Sequence, residues 1–153
     1  MSVPSWLPLI VLAGLCCAGA WLDATQRRLP NWLCALLAVL GLGIALVLDG
    51  PGAAGSHGLH MAAALVVGLA LFSVRMIGGG DAKFYAGVAS WFALSKAAEL
   101  LLWVSLSGLV LFVGWFVYRR TRHLPIRPTG DNPSDSLPYG LAIGAGAIIS
   151  ALL

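Results

Sequence analysis

The charges of this chain are segregated, and that constrains its fold more than any other feature. No Asp, Glu, Lys or Arg occurs in residues 1–22, 29–48, 50–74, 84–95, 100–118 or 136–153. A bilayer-crossing helix needs about 20 mostly apolar residues, within a range of about 17 to 25. Five of the six windows meet that length. The window 84–95 is short alone and lengthens if Lys83 and Lys96 snorkel from its two ends. Only 10% of the residues are charged, against about 25% in an ordinary soluble domain. The expectation is an all-α polytopic membrane protein, a bundle of about six transmembrane helices at 3–22, 32–48, 59–77, 84–95, 98–118 and 138–153. One transmembrane domain then accounts for residues 1–153.

The first window has no basic residue before Arg27, so it reads as a retained span rather than a signal peptide. Basic residues set the orientation. Arg27 and Arg28 follow span 1, Arg75 and Lys83 flank the connection between spans 3 and 4, and Arg119, Arg120, Arg122 and Arg127 follow span 5. Placing these connections in the cytoplasm leaves only Lys96 outside. The net charge of +3 is then a topology signal, and no nucleic-acid partner is expected. The Gly- and Pro-rich stretch 49–58 reads as an outer turn. The connection 119–137, with four arginines and three prolines, reads as an extended cytoplasmic loop. Cys16, Cys17 and Cys34 fall inside spans and form no CxxC, so they read as buried free thiols. Gly140 and Gly144, and Ala64 and Gly68, have the spacing that lets membrane helices approach closely, within one chain or between two.

Two carboxylates sit where hydropathy would not put them. Asp23 ends the first apolar window, and Asp81 follows Gly78, Gly79 and Gly80 between spans 3 and 4. A charge at a span centre costs about 2.5–3.5 kcal/mol, and less near an end, so both are functional candidates. Either alone could cap a helix, Asp81 as an N-cap, or balance a nearby arginine. Together they can do more. Two carboxyls in a poorly hydrated pocket cannot both ionise cheaply, so one keeps its proton. The ionised member can activate water while the protonated one donates to a peptide carbonyl, with no metal, cofactor or covalent intermediate. The glycines would end a membrane helix, adopt backbone angles closed to other residues, and let a substrate backbone approach.

Gly78-Gly79-Gly80-Asp81-Ala82-Lys83 resembles the GxGDxK signature of type IV prepilin peptidases, which share GxGD with other intramembrane aspartic peptidases. Asp23 followed by Arg27-Arg28-Leu29-Pro30-Asn31 resembles that family's second element, an aspartate upstream of a Pro-Asn that opens the next span. Leu137-Pro138-Tyr139-Gly140 resembles its Pro-aromatic-Gly segment at the start of the last span. The three occur in family order across essentially the whole chain. The resemblance implies that Asp23 and Asp81 are the catalytic pair. Around them, Gly78, Gly80, Lys83, Pro30, Asn31, Pro138 and Gly140 would shape the site. Pro30 and Asn31 would set the entry to span 2, and Pro138 and Gly140 would present non-helical backbone to a substrate.

Longer members of that family carry paired CxxC motifs in an extra cytoplasmic region and also methylate the new N terminus. Those motifs are absent from this sequence. The chain is therefore similar to the short form serving tight-adherence (Flp-type) pilus systems, which implies leader cleavage and gives no support to methyl transfer. The implied partners are prepilins or pseudopilins, the lipid bilayer of the bacterial inner membrane, and the pilus assembly machinery, with the site on the cytoplasmic side. A basic leader would be repelled by so many cations, which makes Asp131 and Asp135 candidates for leader contact. The alternative reading is a non-catalytic assembly subunit or a small proton-coupled transporter using the same aspartates. His57 and His60 form an HxxH without nearby carboxylates and read as interfacial residues, as His123 reads as a loop residue.

Overall fold

The computed structural model describes residues 6–122 and 137–153, and the described residues form six α-helices and no strand. Their order is α1 (Trp6–Gln26), α2 (Asn31–Asp49), α3 (Pro51–Ser73), α4 (Gly79–Ala89), α5 (Ala97–Thr121) and α6 (Tyr139–Leu152), with one 3-10 turn over Leu94–Lys96 before α5. Four stretches are long and apolar enough to cross a membrane: α1, α2, α3, and α5 with its preceding turn. Their outer faces are apolar, with Val39 68%, Val66 68% and Val110 72% exposed. Such a surface suits lipid, since large contiguous apolar area is rarely left to water.

The short helices correct the sequence reading. The expected span 84–95 is instead α4, which begins at Gly79 and ends at Ala89. Eleven residues rise about 16 Å, roughly half the hydrocarbon thickness. It is an interior element: Ala82, Phe84, Ala86, Gly87, Val88 and Ala89 are all buried, and it packs on α2, α3 and α6. The chain then reverses at membrane depth, where backbone polar groups need partners inside the protein. They find them in side chains. His57 Nδ1 donates to the Ser90 carbonyl and His60 Nδ1 to the Phe92 carbonyl, each at 2.9 Å, and Ser56 Oγ accepts from the Leu94 N–H at 3.0 Å. The HxxH thus braces a turn.

The expected loop 49–58 is also corrected. Gly50 alone makes the turn, at φ +87, and Pro51 opens α3 as its first helical residue. Pro is suited to that place because its missing N–H would have no partner there. Gly52, Gly55 and Gly58 continue as helix. Density of glycine marks loops in water more reliably than in lipid, where an unpaired backbone is far more costly.

Small residues set the helix contacts. Cβ atoms built at Gly19 and Gly41 would strike Phe84 of α4 and Ser90 just after it. At Gly87 one would lie 2.9 Å from the Cys34 carbonyl, and at Gly68 2.9 Å from the Ala82 Cβ. Gly144 faces Cys16 of α1, and Gly146 faces the backbone of Val104 in α5. The Gly140–Gly144 stripe is therefore occupied within this chain, by Asp23 and Cys16 of α1, and Gly68 meets Ala82 of α4. Cys16 and Cys34 are buried and unpaired as expected, whereas Cys17 faces outward.

All of this gathers one set of helix ends. The C-terminal ends of α1, α3 and α5 and the N-terminal ends of α2, α4 and α6 share one face of the bundle. It carries Arg27, Arg28, Arg75, Lys83, Arg119, Arg120 and Arg122, while Lys96 lies at the other face, paired with Glu99 at 2.6 Å.

Candidate active site

Asp23 stands one turn before the end of α1 and is only 8% exposed. Its Oδ2 accepts a hydrogen bond from the Gly140 N–H at 2.8 Å. The first N–H groups of a helix lack intrahelical acceptors, and Gly140 is the second residue of α6. The carboxylate therefore ties the first helix to the start of the last. Glycine at position 140 suits this, since a Cβ there would lie a tight 3.0 Å from both Cβ and Oδ2 of Asp23. The expected open backbone is thus found only at Pro138, whose ψ of 89 is not helical. Gly140 is helical, and its N–H is already engaged.

Asp81 is the third residue of α4 and not its N-cap; Gly78 caps, with extended φ −73 and ψ 144. The Asp81 carboxylate folds back over Gly78, whose backbone N–H favours its ionised form. A Cβ at Gly78 would lie 2.7 Å from Asp81 Oδ2. The glycine run is thus explained by absent side chains and not by unusual dihedrals. None of the three has positive φ. Gly79 lies against Phe72, and Gly80 against Leu29.

Asp81 sits at the bundle end, outside the four long helices. Its carboxyl is pushed up to about 6, first by burial and then by the charge of Asp23, with the Gly78 N–H opposing. Two groups 58 positions apart in sequence are thus brought near enough for the charge of Asp23 to act on Asp81. Each carboxylate lies at the start of a different helix, Asp23 bonded to the Gly140 N–H of α6 and Asp81 folded over Gly78 before α4.

The supporting residues fall into place around this pair. Lys83 Nζ donates to Asn31 Oδ1 at 3.1 Å, bridging α4 to the first residue of α2. Pro30 precedes α2 in extended form, and its carbonyl accepts from the Leu33 N–H at 3.1 Å. So the Pro-Asn element starts the helix as expected, while Asn31 serves Lys83 and caps nothing. Asp131, Asp135 and His123 lie outside the described residues.

One feature was not read from the sequence. An apolar cavity of about 410 Å³ runs between α3, α4, α5 and α6 with Asp81 on its lining. Ala63, Ala64 and Gly68 of α3 line it, with Ala98 of α5 and Tyr139 of α6. The small-residue stripe at Ala64–Gly68 was the available signal; Tyr139 gave none beyond its place beside Gly140.

Among known protein families, the type IV leader peptidase family matches residues 10–113. The chain belongs to that family. No curated protein and no solved structure matches it. The matched stretch of this type IV leader peptidase contains Asp23, Pro30 and Asn31 together with the whole Gly78–Lys83 element, and it ends before Pro138 and Gly140. Family membership makes it a leader peptidase of prepilin substrates, and its long apolar helices make it a multi-pass membrane protein.

Proposed function

We propose that this type IV leader peptidase is an intramembrane aspartic endopeptidase that removes the leader of Flp-type prepilins at the cytoplasmic face of the bacterial inner membrane. The observation supporting this reading is that Asp23 and Asp81 are gathered at the basic end of the bundle, where Asp23 is buried and its charge raises the Asp81 carboxyl. By the positive-inside rule that end is the cytoplasmic one. Asp23 accepts the Gly140 N–H and is suited to hold the attacking water as a carboxylate. Asp81, whose proton is retained to about pH 6, is suited to donate to the carbonyl oxygen of the scissile peptide. As water adds, its proton passes to Asp23. Collapse of the tetrahedral intermediate returns a proton to the leaving nitrogen and breaks the C–N bond. The cavity beside Asp81 suits the apolar helix of the prepilin, with its small wall residues allowing close backbone approach.

The test is co-expression with a Flp-type prepilin, read as a gel shift. Conversion of the pilin to its shorter form supports the reading; an unshortened pilin beside well-inserted protein overturns it.

Two further results are expected. Initial rates of cleavage, measured in proteoliposomes across pH, should fall on the alkaline side of about pH 6, as Asp81 loses its donor proton. The slope should approach about tenfold per pH unit. The sign for stability is the same. The folded chain holds this proton more tightly than the ordinary value of 3.8, so raising pH from about 4 to about 6 removes stability. A rate that goes on climbing above about pH 6 would exclude Asp81 as the acid. Second, Ala98→Trp fills the cavity from its exposed α5 wall. It should slow cleavage by about tenfold or more, the effect of a lost substrate anchor of at least 1.4 kcal/mol, without lowering the thermal midpoint.

A further inference from the structure

The corner between α1 and α2 holds a second cavity that the proposed chemistry does not use. It has a volume of about 520 Å³ and is lined by Gln26, Arg27, Arg28, Asn31, Trp32 and Gly80 among others. No acidic residue lines it. Arg27 has its Nη1 buried without a hydrogen-bond partner among the described residues. Its backbone is left-handed, at φ +53, and its N–H closes the last turn of α1 on the Asp23 carbonyl at 3.0 Å. That helix-ending position favours glycine, so an arginine there stands against the local backbone preference. A buried unpaired guanidinium nitrogen in turn implies a missing acceptor.

The donor set defines that acceptor. A guanidinium presents a planar fork that matches the oxygens of a phosphate ester. Asn31 adds to it: because its Oδ1 accepts from Lys83, its Nδ2 is left to donate. The level is interfacial, since Trp21 and Trp32 flank the corner at 70% and 61% exposure. Basic pockets between membrane helices at this depth suit lipid headgroups. We propose that this corner binds the phosphodiester of an anionic phospholipid headgroup, with Arg27 as its principal ligand.

The experiment uses the full chain in nanodiscs of phosphatidylcholine, alone or with phosphatidylglycerol. It reads the thermal midpoint and, by native mass spectrometry, the phosphatidylglycerol retained. Phosphatidylglycerol should raise the midpoint of the wild type. Arg27→Gln should reduce retention about tenfold, the loss of one charge-assisted hydrogen bond in a buried site, while Arg120→Gln should retain it fully. Arg27→Gly separates the ligand from the fold. In phosphatidylcholine it should melt no lower than wild type, because glycine suits the left-handed position, yet it should lose the response to phosphatidylglycerol. Equal retention by wild type and both Arg27 variants would overturn the proposal. So would an equal midpoint rise from inorganic phosphate in pure phosphatidylcholine, which would assign the site to a soluble anion.

Discussion

Asp23→Asn and Asp81→Asn should each abolish leader cleavage while leaving the protein in the membrane at the wild-type level. Removing a positioned acid or base typically costs about 10²–10⁴-fold in rate, enough to eliminate the shortened pilin on a gel. The two variants should be equally inert in cleavage and unequal in stability. Asparagine at 81 relieves a carboxylate that burial and Asp23 both disfavour, and its amide oxygen can still accept the Gly78 N–H. Asparagine at 23 keeps an oxygen for the Gly140 N–H but places an amide nitrogen in a site that is only 8% exposed. Thermal melting should therefore place Asp81→Asn at or above wild type and Asp23→Asn below it. Cleavage by both variants at wild-type rates would remove the pair from the mechanism and favour an assembly or proton-carrying role.

Gly146→Val should give the largest loss of stability. A Cβ at this position would lie 2.5 Å from both Cα and N of Val104. Those are backbone atoms of α5, so no side chain can swing away, and the two helices must separate. Overpacking costs typically about 1–3 kcal/mol and occasionally more. The expected readouts are a lowered thermal midpoint in detergent and loss of cleavage, because α6 carries the donor that holds Asp23. Gly14→Val is the control. Nothing lies within 4 Å of a Cβ there, and the residue faces outward on α1. It should leave both readouts unchanged.

Much of this arrangement was legible in the residues. Unbroken apolar windows locate α1, α2 and α5 because charge is excluded from lipid over a length that sequence displays directly. The aspartates stood out for the same reason. What failed was punctuation. Glycine and proline near 49–58 were read by rules that hold in water, and Pro51 instead begins a helix. The glycines before Asp81 offer both backbone freedom and absent side chains, and the structure uses the second: Gly78 admits the Asp81 carboxylate, and Gly80 admits Leu29. The length of α4 was hidden because an interior helix is as free of charge as a lipid-facing one, and an uncharged stretch does not report which. The Asp23–Gly140 bond was illegible for another reason, since nothing in either residue type names so distant a partner.

That bond also orders events during biosynthesis. Its donor lies 117 residues after its acceptor. At a translation rate of about 5–20 residues per second, residue 140 is made about 6–23 s after residue 23. Through that interval α1 to α5 can enter the bilayer with Asp23 still lacking its holder. If Asp23 serves cleavage as proposed, a centre fastened by the last helix should stay inert on the ribosome, and a prematurely terminated chain should sit in the membrane without cutting its neighbours.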